Sequence, residues 1–182
     1  MRWIFGALLA LATPAAADVL GLNDYDALFA ADGAEIATLA DGSEVLSLPG
    51  PVQVMRSDQG ITTLDGTDGG ALGCFVRILS QIAAFEAACD APFDADQRAR
   101  LESYRDRALD FYAANAQPPV TPQDARARFE ALVEASSEAA ARYCEAGAGV
   151  RDFMDTVLSD GTAEVVARMT EVPRLPADNP CL

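Results

Sequence analysis

The sequence predicts an α+β protein: a small antiparallel β-meander of about four strands over residues 34–64, then a mainly up-down helical bundle over residues 71–172, stapled by disulfides. Three observations predict it. Two short runs of β-compatible residues, each folded around a turn signal, lie between residues 34 and 64. From Leu72 onward apolar residues recur at three- and four-residue spacing, the helical period. Four cysteines, Cys74, Cys89, Cys144 and Cys181, are spread along the helical part and its tail.

The chain opens with "MRWIFGALLALATPAAADVL". Arg2 is a basic n-region, Ile4 to Ala12 an apolar core, Pro14 a helix breaker, and Ala15-Ala16-Ala17 the small side chains a signal peptidase accepts. Residues 1–17 are therefore expected to be a cleaved signal peptide, cut between Ala17 and Asp18. The apolar core is shorter than the roughly 20 residues of a membrane span. No membrane insertion is expected after cleavage. The mature domain would be residues 18–182, with a β-rich part at 18–66, a helical part at 71–172 and an extended tail at 173–182. Its formal charge would be −16, because Arg2 leaves with the leader. That balance disfavours nucleic acid, whose phosphates need a basic surface. All thirteen basic residues are Arg, with neither Lys nor His present. With the abundant Ala, this fits a GC-rich bacterial genome and a periplasmic or secreted protein.

Within the mature chain, Asn23-Asp24 caps a short helix through "YDALFAAD" to Gly33. Asp41-Gly42 signals a two-residue hairpin turn between β-compatible flanks. A second hairpin, "VQVMRSDQGITTL", turns at Ser57-Asp58-Gln59-Gly60. The link "DGTDGGALG" leads to helix one at 71–89, with its stripe of Leu72, Val76, Leu79, Ile82 and Phe85. Helix two follows Pro92, with Asp94 as N-cap and Gln97 three residues on, a capping-box spacing. Helix three starts with Thr121 as cap, Pro122 in the first position and Asp124 in the third. Its inner face reads Ala125, Phe129, Leu132, Val133, Ser136, Ala140, Tyr143 and Cys144. "VRDFMDTVL" and "TAEVVARMTEV" are two further helical segments around Ser159-Asp160-Gly161.

The cysteines follow from this layout. On one helix, Cys74 and Cys89 stand about 22 Å apart at 1.5 Å of rise per residue. A disulfide needs Cα atoms within about 7 Å. Short links run helices one, two and three up, down and up, so helices one and three are parallel. Cys89 and Cys144 then share one end of the bundle. Cys74 lies at the other end, within reach of Cys181 once the tail folds back. The expected pairs are Cys89–Cys144 and Cys74–Cys181.

The missing residue types exclude much chemistry. Without His there is no Ser-His-Asp or Cys-His catalysis, and without Lys no Schiff base. No Cys-x-x-Cys and no phosphate-cradling glycine loop occurs. Three acidic stretches invite a calcium reading: Asn23, Asp24 and Asp26; Asp65 and Asp68; Asp94 and Asp96. None keeps the spacing of an EF-hand loop, so they read as caps and turns. Arg98, Arg100, Arg105 and Arg107 read as a solvated helix face paired at i,i+3 and i,i+4. Glu102-Ser103 resembles the Glu-Ser opening of lytic transglycosylases over those two residues only, and the glycine-rich continuation is absent. Tyr104, Phe111, Tyr112, Phe129 and Tyr143 fall on inward stripes and read as core. No catalytic residue, cofactor or metal site is expected. The functional expectation is a disulfide-stabilised, non-enzymatic binding or structural protein of the bacterial envelope, acting on another envelope protein. The alternative is a carboxylate-based hydrolase of envelope glycans.

Overall fold

A computed structural model of the chain describes residues 18–90, 92–145 and 148–178. The expected leader and Cys181 lie outside the described residues. The first element, α1, is Tyr25–Phe29, capped by the Asp24 carboxylate, which accepts from the Ala27 amide at 2.9 Å. It is shorter than the expected run to Gly33.

Four strands follow: β1 Glu35–Thr38, β2 Glu44–Ser47, β3 Val52–Ser57 and β4 Gly60–Asp65. They form one antiparallel sheet in the order β1-β2-β3-β4, the meander the sequence predicts. The β3–β4 turn is tight. Ser57 pairs with Gly60, leaving Asp58-Gln59 as the loop, and Gly60 takes φ +116°, a conformation that favours glycine. The β1–β2 turn departs from the expected two-residue form. Its last paired residues are Thr38 and Glu44, and the loop is closed by Leu39 N–H donating to Ser43 O at 2.8 Å. The Asp41 carboxylate accepts from the Ser43 amide at 3.0 Å, so a side chain supplies the turn and holds a wider loop.

The bundle consists of α2 Leu72–Ala88, α3 Ala95–Asn115, α4 Pro122–Ala141, α5 Ala148–Val157 and α6 Asp160–Met169. α2 is one unbroken helix, and both capping boxes form, Asp94 with Gln97 and Thr121 with Asp124. α4 ends earlier than expected, and its inner face is buried only at Ala125 and Phe129. Leu132, Val133, Ser136 and Ala140 are half-buried. Tyr143 is 55% exposed, against the expected core position. The chain has by then left the helix for a turn, which carries the ring off the inner stripe. Cys89 and Cys144 are bonded with Cα atoms 5.4 Å apart, which fastens the C-terminal ends of α2 and α4 together. The two helices are therefore parallel. Cys74 is also in a disulfide.

Two hydrophobic cores result. The larger, in the bundle, gathers Val76, Leu79, Ile82, Leu101, Leu109 and Tyr112, and takes in Leu20 from the chain's beginning. The smaller packs Leu46, Val52 and Val54 of the sheet against Phe29 and Leu175. Leu175 belongs to residues 173–178, which have no regular secondary structure and are buried from Arg174 to Asp178. The tail reaches the start of α2, where Gly73 N–H donates to Ala177 O at 2.8 Å. It thus lies along the seam between sheet and bundle.

Candidate functional site

Two places stand out: an open apolar groove on the bundle and an enclosed cluster of polar groups at the seam. The groove, about 490 Å³, lies between α2, α4 and α5. Ile82 and Phe85 form one wall, Ala139 and Ala140 the floor, Phe153 and Met154 the other wall, with Tyr143 at the rim. The small side chains on α4 create the space. α5 supplies an apolar stripe of Val150, Phe153, Met154 and Val157 at i, i+3, i+4 and i+7. Phe153 is 50% exposed although aromatic. Among the described residues no charged one lines the groove, in a chain of net charge −15.

The seam cluster is built on Asp18. Its carboxylate accepts from the amides of Leu20 at 3.0 Å, Leu22 at 2.6 Å and Asn23 at 2.6 Å, and from the Tyr112 hydroxyl. Asp178 lies beside it. Its amide donates to Thr63 Oγ1 at 2.9 Å, and its carboxylate receives Arg77 Nη2 at 3.3 Å. Burial, then the neighbouring Asp18 charge, push the Asp178 carboxyl up from its ordinary value to about 7. Burial likewise drives the Tyr112 and Tyr25 hydroxyls above the usual phenol range, with Asp18 and Asp178 adding to the shift. A second ionic contact closes the far side of the seam. Arg174 Nε meets Asp65 Oδ2 at 2.7 Å with side chains 2% and 1% exposed, and Arg174 Nη1 donates to Met169 O and Val172 O.

The cavity that borders this cluster is lined, among the described residues, by Gly21 to Asp26 and Ile61. Glu102 is exposed on α3. Among the described residues, no three His, Cys, Asp or Glu side chains come together as metal ligands would.

The residues singled out in the sequence have other uses. Asp24 and Asp94 cap helices. Asp26 pairs with Arg56 at 3.2 Å, and Asp65 with Arg174. The arginines of α3 do not form the expected pairs along their own helix. Arg98 reaches Glu86 of α2 at 3.1 Å, Arg100 reaches Asp160 of α6 at 2.8 Å, and Arg107 reaches Thr170 just past α6 at 2.8 Å. Arg105 pairs with its neighbour Asp106 at 3.1 Å. Tyr104 and Tyr112 are core, each with its hydroxyl bonded. Sequence reasoning did not find Asp18, Thr63, Arg77, Arg174 or Asp178. Their partners lie about a hundred positions away along the chain, so no local pattern marks them.

No protein-family model matches the chain, and neither a curated protein nor a solved structure is detectably similar to it. Described residues contain no helix long and apolar enough to cross a membrane.

Proposed function

We propose that this chain is an exported, disulfide-stabilised, non-enzymatic binding protein of the bacterial envelope, periplasmic or secreted after removal of residues 1–17. Its groove between α2, α4 and α5 takes the apolar face of a helix from another envelope protein. The observation that carries this reading is the uncharged groove with Tyr143 and Phe153 exposed at its edge. A groove walled by helices suits side chains projecting at i, i+3 and i+4 from a docked helix. Around it, exposed Glu134, Glu138, Asp152 and Asp155 outnumber exposed Arg142 and Arg151. The partner helix is accordingly flanked by basic residues, and the association weakens with salt. The hydrolase reading gains no support from the groove, where no carboxylate is found among the described lining residues.

The test pairs wild-type protein with a Tyr143→Ser, Phe153→Ser variant. Both side chains are exposed, so stability should change by only about 0.5 kcal/mol per site. The expected result is an envelope protein that co-isolates with the wild type, is lost with the variant and is released by salt. A partner held equally by both proteins would remove the groove from the account.

A further inference from the structure

We propose that the open edge of β1 takes an extended, basic peptide segment of a partner protein as an additional antiparallel strand. The site lies on the sheet, apart from the groove between α2, α4 and α5, and does not rest on the groove reading.

The register fixes which backbone groups are free. β1 is an outer strand of the sheet, and each of its residues is exposed. Leu39 N–H donates to Ser43 O at 2.8 Å, and an antiparallel ladder bonds alternate residues. Ala37 and Glu35 therefore turn their N–H and C=O groups to β2. Those of Ile36 and Thr38 point the other way, off the sheet. Among the described residues nothing bonds to them. The usual devices that blunt an edge include proline, lysine and bulges. β1 has neither proline nor lysine, and its pairing with β2 runs without a bulge. The other outer strand, β4, is held to the tail through Thr63 and Asp65.

The side chains at this edge suit an added strand. Ile36 pairs with Leu46 and so shares the inner face of the sheet, yet it is 39% exposed. At the start of β1 a cavity of about 440 Å³ opens toward α1, with Leu28, Ala34, Leu46 and Leu48 in its lining. Alternate side chains of an added strand would pack against Ile36 and this cavity, the mode by which strand addition gains specificity.

Charge selects the occupant. Residues 18–55 hold seven acidic residues and no Arg or Lys. The first basic residue beyond them, Arg56, is taken by Asp26 at 3.2 Å and Glu44 at 3.1 Å. Asp32 before β1, Glu35 on it and Asp41 after it are exposed and form no ion pair among the described residues. They favour a basic strand. They oppose a second copy of the chain, since pairing two β1 strands would bring both sets of acids together.

The probe is a blocked peptide of alternating Arg and Val, titrated into the purified protein and followed by amide-resolved NMR. The Ile36 and Thr38 amides should shift, and raising salt from about 50 to 500 mM should weaken binding about tenfold. In the antiparallel register the Val residues stand opposite Ile36 and Thr38, so the Val amides make the bonds. N-methylating the Val amides should cost about tenfold or more, and N-methylating the Arg amides less than about threefold. Thr38→Pro removes an outward N–H and leaves the ladder to β2 intact. It should also weaken binding about tenfold, with urea unfolding unchanged. Should that variant fail to fold, the methylated peptides decide. Absence of shifts at Ile36 and Thr38 overturns the edge site, as does a Thr38→Pro protein that folds and binds as before. Equal binding of a Glu-Val peptide, equal loss from either methylation, or dimerisation of the protein through β1 overturns it as well.

Discussion

Asp65 and Arg174 lie 109 positions apart, yet form the most deeply buried ionic contact among the described residues. Removing one partner leaves the other charge in a dry place, which typically costs about 3–5 kcal/mol, whereas replacing both with apolar groups is often nearly neutral. Arg174→Met should therefore destabilise strongly, and Asp65→Leu combined with Arg174→Met should recover most of the loss in urea unfolding. A double variant no better than the single one would mean that Arg174 acts through the Met169 and Val172 carbonyls instead. Gly73 shows a different constraint at the same scale. A Cβ there would collide with the Asp178 carboxylate and come within 2.9 Å of Ala177 O. Gly73→Ala should cost several kcal/mol by displacing the tail, although Gly→Ala usually favours a helix interior. None of this was legible in the sequence. A hydrogen bond across about 100 positions leaves no local signature, and Asp65 looked like turn chemistry because it opens a glycine-rich link.

The elements were easier to read than the residues that join them, because their signals are local. Helix starts were visible in the spacing of Asp94 to Gln97 and Thr121 to Asp124, since a capping box spans only one turn. The β3–β4 turn was visible in Asp58-Gln59-Gly60. The end of α4 was not, because the apolar period runs on past the helix end at Ala141 to Tyr143 and Cys144. The groove went unread for a similar reason, since small residues that look like close packing leave space when α5 stands off. Cys89–Cys144 was legible because it needs only helix direction. It closes a loop of 55 residues, for which the chain-entropy model gives about 4 kcal/mol. Cys89→Ala with Cys144→Ala should lower stability by roughly 3–4 kcal/mol, and should also widen the groove that ends at Tyr143. A loss under about 1 kcal/mol would show that the helix ends are held by packing alone.

Over the whole molecule, the two ends of the described chain act as the joint between sheet and bundle. Leu20 goes into the bundle core, Leu175 into the sheet core, and Asp18, Asp178, Arg77 and Thr63 bridge what lies between. The α+β layout was readable because β-compatible runs around turn signals mark the strands and a 3.6-residue period marks the helices. The seam was not, since an extended proline-rich tail has no period to read. The joint depends on this tail folding back across the start of α2. Ala177 already bonds to Gly73, next to Cys74. Non-reducing peptide mapping of the purified protein tests that path of the chain. Two bridged peptides are expected, Cys74 with Cys181 and Cys89 with Cys144. A peptide joining Cys74 to Cys89, or a Cys181 thiol open to alkylation, would contradict it.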